Sequence, residues 1–102
     1  MILRRFHNDG HFVIRNKNKI LFRSYDSNVA LIDAKGLLRL GPDWDFSKTT
    51  LKYLCRFLEE YKNDLEGYTY SCIGLGKLEN AKNKKKYIQD LIKKKVIKVS
   101  QF

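Results

Sequence analysis

Apolar and polar residues alternate along residues 1–40, which is the two-residue period of a half-buried β-strand. Between residues 19 and 25, Ile20 and Phe22 fall on one side of such a strand. Leu21 and Arg23 fall on the other side. Several short runs of this kind, separated by turn residues, predict an antiparallel β-meander of about four or five strands over residues 1–46.

Turn residues divide these runs. Asp9 and Gly10 stand between two β-rich segments, residues 2–6 and 12–15, and an Asp-Gly pair in this position predicts a hairpin. Further along, Gly36 precedes a short apolar run and can adopt the positive φ of a bulged turn.

From residue 47 the apolar residues recur at steps of three and four, which predicts a helix over residues 47–63. The central-helix segment, including the residues after the helix, is 47–65. Ser47 is the predicted N-cap, because its hydroxyl can accept from the free amides of the first turn. We expect the apolar stripe to cover the sheet. Its members are Leu51, Leu54, Cys55, Leu58, Tyr61 and Leu65.

Residues 66–77 are rich in glycine and aromatic residues and predict a connector, with a possible short strand at 69–73. Residues 78–102 predict a basic second helix, beginning between residues 77 and 82, and a short strand at 96–99. The predicted fold is one α+β domain in which a central helix packs on the meander. In the second helix Leu78, Ala81, Ile88, Leu91 and Ile92 face inward, and Lys82, Lys84, Lys86 and Lys93 face outward.

Positive charge is concentrated at the two ends of the chain. The 102 residues include 21 Lys and Arg against 11 Asp and Glu, a formal charge of +10. Residues 1–24 carry a net +5, residues 25–76 carry −2, and residues 77–102 carry +7. An excess of this size destabilises a compact protein by self-repulsion and therefore suggests an anionic partner. A lysine-rich composition without functional meaning is the alternative.

Two sets of basic residues are the candidate partner-binding sites. Arginine interleaved with aromatic residues on a sheet can stack bases and hold phosphates, and lysines on a helix can neutralise phosphate without reading bases. An ordinary half-buried sheet and a solvated helix face are the alternatives, and Phe6 and Phe12 are predicted to be core residues. The candidates are Arg4, Arg5, Arg15, Lys17, Lys19 and Arg23 in the first set, and Lys82, Lys84, Lys85, Lys86, Lys93, Lys94 and Lys95 in the second.

Several segments resemble a family of small uncharacterised proteins carried by phages and plasmids of Gram-positive bacteria. The resemblance has its centre in the aromatic-Asp-aromatic-Ser-x-Thr-Thr segment at residues 44–50. It also rests on residues 24–30 and 38–40, on Lys52, Leu54, Phe57, Leu58 and Tyr61, and on the basic helix from Lys82 to Lys94 that runs into Val96 and Ile97. It covers residues from about 20 to 97, so the hairpin at 1–18 lies outside it. Relatives often have histidine where this chain has Tyr53, so no histidine role is carried over. The resemblance implies a protein that binds DNA, a host regulator or a defence complex, as anti-CRISPR proteins do.

No catalytic or metal-binding set of residues is complete, so we predict a non-enzymatic protein without a cofactor. His7 and His11 flank the predicted hairpin turn with only Asp9 nearby, whereas a metal site needs about four ligands. Cys55 falls on the apolar stripe, where a free thiol behaves as a small hydrophobe. Two cysteines and no apolar run of about 18 residues predict a cytoplasmic protein without a membrane partner.

We therefore predict an accessory protein that binds a nucleic acid or a nucleoprotein complex through its basic ends. Inhibition of a CRISPR-Cas nuclease is the specific role that the resemblance suggests. The alternative is a protein-interaction module or a homodimeric regulator whose charge serves only solubility. Regulation of the genes of the phage or plasmid itself is equally compatible with this sequence, and so is either DNA or RNA as the nucleic acid.

Overall fold

The computed structural model describes residues 2–6 and 8–102, and within them strands precede helices along the chain. The strands are β1 (Ile2–Phe6), β2 (Asn8–Asn16), β3 (Lys19–Ser24), β4 (Ser27–Ile32), β5 (Leu38–Leu40) and β6 (Lys98–Val99). The helices are α1 (Lys48–Glu60), α2 (Gly67–Ile73) and α3 (Lys84–Lys93), with a 3₁₀ turn at Lys62–Asp64.

The strands form one sheet in the order β1-β2-β3-β4-β5-β6. Neighbouring strands from β1 to β5 are antiparallel, which confirms the predicted meander and the α+β class. The last strand returns to the sheet and pairs in parallel with β5, with Arg39 opposite Lys98. Short segments at residues 17–18, 25–26 and 33–37 connect β2 to β5, whereas the parallel pairing of β5 with β6 needs the long helical segment between them.

The Asp-Gly pair does not form the first hairpin turn, so that prediction was wrong. Phe6 pairs with Asn8, and Gly10 lies inside β2. A Cβ at Gly10 would stand 2.3 Å from the Tyr25 ring, and the Gly10 carbonyl accepts from the Tyr25 amide at 2.6 Å. Gly10 therefore lets the Tyr25 ring lie directly against β2 and does not form a turn.

The central helix begins as predicted and ends earlier. Ser47 caps α1, and its Oγ accepts from the amide of Thr50 at 3.1 Å. The chain tightens into the 3₁₀ turn after Glu60. Phe57, which the predicted stripe omitted, is fully buried and stacks on Phe22 with ring centroids 5.2 Å apart. The sheet thus faces a side of α1 slightly rotated from the predicted stripe, and Leu51 and Cys55 lie at its margin.

The predicted connector contains a helix, and the predicted second helix starts late. α2 occupies the residues where a short strand was expected. Glu66 caps this helix by accepting from the Thr69 amide at 2.5 Å. Its carboxylate also accepts from the Thr69 hydroxyl at 2.7 Å, and the bonds from Thr69 lower the pKa of this carboxyl group. Asn83 caps α3 by accepting from the Lys86 amide at 3.0 Å. Leu78 and Ala81 therefore lie in turns that precede α3, although Leu78 is buried.

The core lies between one face of the sheet and the helices. Phe22, Leu38 and Leu40 of the sheet are buried with Leu54 and Phe57 of α1. The later elements add Ile73, Ile88, Leu91 and Ile97 to the same cluster. In the part of the chain that the structure describes, no helix is long and apolar enough to cross a bilayer. We call the side of the sheet turned away from this core the open face.

Candidate nucleic-acid interface on the open sheet face

A continuous row of aliphatic side chains crosses the open face. Strand register places these residues opposite one another, and register partners on one face have Cβ atoms about 4.5–5.5 Å apart. All of them are at least partly exposed to solvent, and Leu3 is 61% exposed. The row continues onto β5 and β6 with two cations. From β1 to β6 it reads Leu3, Ile14, Leu21, Leu31, Arg39 and Lys98.

In a second row on the open face, an aromatic ring lies between arginine residues of the two neighbouring strands. Phe12 of β2 is opposite Arg5 of β1 and Arg23 of β3. Arg23 is in turn opposite Asn28 of β4. Phe12 was predicted to be a core residue, and this prediction was wrong: the ring is half-buried on the open face, whereas Phe6 is in the core as predicted.

The charged side chains on the open face all have the same sign, among the strand residues whose side chains the structure describes. They are Arg5, Lys19, Arg23, Arg39 and Lys98. Asp33 directly follows β4, but its carboxylate is occupied by the amides of Lys35 at 2.9 Å and Leu37 at 3.0 Å. Cations of one sign on one face produce a positive potential there, which favours an anionic partner.

Two of the predicted basic residues point to the other side of the sheet and are paired there. Arg4 Nη2 donates to Glu60 Oε1 at 2.8 Å and to the Tyr61 hydroxyl at 2.6 Å. Arg15 Nη2 lies 3.2 Å from Asp64 Oδ1. Arg4 thus links β1 to the end of α1, and Arg15 links β2 to the 3₁₀ turn that follows α1. We therefore assign Arg4 and Arg15 to packing, outside the candidate interface.

The lysines in and around α3 also differ in whether they have a partner within the protein. Lys84 was expected to point outward, but it is half-buried, and its Nζ donates to the carbonyl of Glu79 at 3.0 Å and of Ala81 at 3.3 Å. Lys85 Nζ lies 3.5 Å from Asp45 Oδ2. Lys82 and Lys86 are exposed, as are Lys93, Lys94 and Lys95 after them, and no described acid forms an ion pair with any of these five.

The end of α3 carries its lysines to the edge of the sheet. Lys95 precedes Lys98 by three residues, so their Cα atoms are at most about 11 Å apart. Lys98 lies opposite Arg39 in the aliphatic row. The positive charge of the open face therefore continues around this edge. We call this set the basic edge, consisting of Arg39, Lys93, Lys94, Lys95 and Lys98.

Sequence reasoning missed Arg39 and Lys98, although the pattern contained a signal for both. Arg39 stands between the buried residues Leu38 and Leu40, and Lys98 follows the buried Ile97. Strict alternation places each cation on the face opposite its buried neighbours. The predicted candidates Lys17 and Lys19 lie at the β2–β3 turn, where Lys17 has a φ of 55°.

One polar pair on the open face lacks partners. The Nε of Arg23 and the Oδ1 of Asn28 are both buried, and no described residue bonds to either atom. The amide of Asn28 is used elsewhere, because its Nδ2 donates to the Phe102 carbonyl oxygen at 2.8 Å.

Histidine chemistry does not contribute to this face. His11 is fully buried on the core side, where its Nε2 lies 3.1 Å from the Ser24 hydroxyl. His7, the other histidine of the predicted hairpin, lies outside the described residues. Among the residues that the structure describes, no three potential metal ligands come together.

A family model matches residues 3–71, more than half of the chain. The chain belongs to DUF8033, a family of unknown function. The DUF8033 span runs from β1 into α2 and so contains Phe12, Arg23 and Arg39, but it ends before α3 and β6. It also includes the first hairpin, which the resemblance described above left out. No curated protein and no solved structure matches the chain.

Proposed function

We propose that the protein binds nucleic acid through the open face and the basic edge. The observation that carries this proposal is the separation of charge between the two sides of the sheet. Arg4 and Arg15, which face the helices, are neutralised by the protein's own acids, whereas the described charges of the open face are uniformly basic. A surface that served only solubility would not require this separation.

The open face is better suited to binding single-stranded nucleic acid than to entering the groove of a duplex. An uncovered sheet face can stack a base on Phe12 while Arg23 and the basic edge contact phosphates. The aliphatic row offers apolar contact to further bases or sugars without reading their sequence. We therefore expect weak dependence on sequence and strong dependence on salt.

The test is the affinity of the protein for a labelled single-stranded oligonucleotide, measured by fluorescence anisotropy over a range of salt concentrations. In the double variant Arg39→Glu/Lys98→Glu, we expect affinity to fall by about tenfold or more. The slope of log affinity against log salt should decrease by about 0.7 for each phosphate that the variant no longer neutralises.

The matched control is Lys48→Glu/Lys52→Glu, which makes the same change in net charge at two exposed positions of α1. Its affinity for the oligonucleotide should remain within about twofold of wild type. Equal losses in both double variants would mean that net charge alone drives binding, and this would refute the proposed interface.

The aliphatic row supports a second candidate function, a protein-interaction surface or homodimer interface. Leu3, Ile14, Leu21 and Leu31 together form the kind of exposed apolar patch that marks interfaces. Binding through this row would change little with salt. The salt series with the oligonucleotide, together with the oligomeric state in solution at each salt concentration, therefore separates the two candidates.

Inhibition of a bacterial defence nuclease stays a prediction, since it rests on the phage and plasmid resemblance alone. A pull-down from a host lysate, carried out with and without nuclease treatment, tests whether a nucleoprotein complex is the partner. Reversing the charge of residues 84–86 together is unsuitable as a test of binding. Lys84 donates hydrogen bonds to two carbonyls in the segment before α3, so its replacement would also affect the fold.

A further inference from the structure

A groove runs along the outer side of α1, away from the open face. Its walls are the stripe of α1 from Lys48 to Glu59 and the segment from Leu78 to Lys84, and its volume is about 460 Å³. Cavities of about 300–1,000 Å³ are typical of small-molecule sites.

The floor of this groove is apolar. Leu78 is buried, and Leu51 and Cys55 are half-buried beside it. Burial raises the pKa of the Cys55 thiol to about 11, so the thiol is neutral at physiological pH and contributes apolar surface. Leu51 and Cys55 belong to the margin of the apolar stripe of α1, where they pack against the core and remain half-buried.

The rim of the groove carries more positive than negative charge. Lys48, Lys52 and Arg56 project from α1, and the acid that follows them, Glu59, is paired with Lys62 at 2.7 Å. Lys84 and the exposed acid Glu79 lie on the opposite wall, so four basic and two acidic residues line the groove.

The charge is also graded along the groove. Lys48 and Lys52 lie in the first turns of α1, where the helix dipole adds positive potential, whereas Glu59 lies in the last turn. An anionic group would therefore be most stable at the Lys48 end, with an apolar chain extending toward Cys55.

We propose that this groove binds a small organic anion with an unbranched apolar chain, of the chemical class of a medium-chain carboxylate. The chain lies over Leu51, Cys55 and Leu78, and the carboxylate pairs with Lys48 and Lys52. This site is separate from the open face, so the proposal does not depend on nucleic-acid binding.

The thiol on the groove floor provides the assay. In a Cys72→Ser background, which leaves Cys55 as the single cysteine of the sequence, the rate of alkylation by N-ethylmaleimide reports access to the groove. We expect decanoate to slow alkylation by about tenfold at saturation, decanol to require a higher concentration, and acetate to have no effect. Absence of protection by decanoate would refute the site.

The variant Lys48→Glu/Lys52→Glu should weaken protection by decanoate by about tenfold and leave protection by decanol unchanged. Both positions are exposed, so the fold should be retained, and a thermal melt checks this. The matched control is Arg39→Glu/Lys98→Glu, in which decanoate should protect the thiol as it does in the parent. Equal potency of decanoate and decanol, or equal weakening in both double variants, would overturn the assignment of an anion site.

Discussion

At the residue scale, His11 is a polar side chain buried among aromatic rings. It is fully buried, and its ring is tilted against that of Tyr53 with centroids 4.2 Å apart. Phe22 and Tyr25 flank it, and the Arg56 guanidinium lies over the Tyr53 ring. Burial lowers the pKa of His11 from its ordinary value of 6.5, so the folded protein holds the imidazole in its neutral form.

We therefore predict that acid destabilises the protein before its carboxyl groups titrate. Below pH 6.5 the unfolded chain takes up a proton at His11 while the folded protein resists it, so stability falls as pH decreases through this value. We expect the free energy of unfolding, measured in urea, to be lower at about pH 5.5 than at about pH 7.5. His11 contributes at most about 1.4 kcal/mol per pH unit to this decrease. In His11→Phe this part of the pH dependence should disappear, and an unchanged pH dependence would contradict the assignment.

At the element scale, the helices after α1 are joined by a long-range hydrogen bond as well as by apolar packing. Tyr87 of α3 donates its hydroxyl proton to the carbonyl oxygen of Cys72 in α2 at 2.6 Å. Burial raises the pKa of Tyr87, which keeps the hydroxyl protonated and able to donate. This bond positions α3 beside α2 although the two helices are separated by a segment of turns.

Tyr87→Phe should destabilise the protein by about 0.5–1.5 kcal/mol, because the Cys72 carbonyl loses its donor while the ring is kept. Chemical denaturation measures the change. Tyr68→Phe is the matched control, since Tyr68 is 64% exposed in α2, and its stability should stay within about 0.5 kcal/mol of wild type. Equal effects of the two substitutions would show that the hydrogen bond does not join the helices.

At the scale of the whole molecule, the structure divides the basic residues into two groups with different roles. Arg4 joins β1 to the end of α1 across 56 residues of sequence, and Arg15 joins β2 to the 3₁₀ turn after α1 across 49 residues. Arg39 and Lys98 lie on the opposite face, in the basic edge. The net charge of the molecule gives no indication of this division.

This division predicts opposite outcomes for two double variants that each remove two charges. Arg4→Gln/Arg15→Gln should lower stability by about 1 kcal/mol, since exposed ion pairs contribute little each, and should leave oligonucleotide affinity nearly unchanged. Arg39→Gln/Lys98→Gln should leave the melting temperature unchanged and weaken oligonucleotide binding several-fold. Binding losses of the same size in both variants would show that the two faces are not functionally distinct.

Most of the strands and helices were predictable from the sequence, because alternation, capping and turn formation each depend on only a few neighbouring residues. The alternation at Ile20 and Phe22, the Ser47 cap and the positive φ at Gly36 are all present in the structure. The prediction failed where distant groups decide the conformation. Residues 67–73 are helical after the Glu66 cap, and the Glu66 amide in turn donates to the Gly36 carbonyl at 2.9 Å.

The sequence by itself determined the α+β class, the positions of the meander and of α1, and the accumulation of positive charge near both termini. Tertiary structure alone decided which cations remain available, because their partners, such as Glu60 for Arg4, lie far away along the chain. It also decided which face of the sheet stays uncovered, and it brought Arg39 beside Lys98. Alternation assigns a residue to one side of a strand, but only the packing of the helices determines which side is solvent.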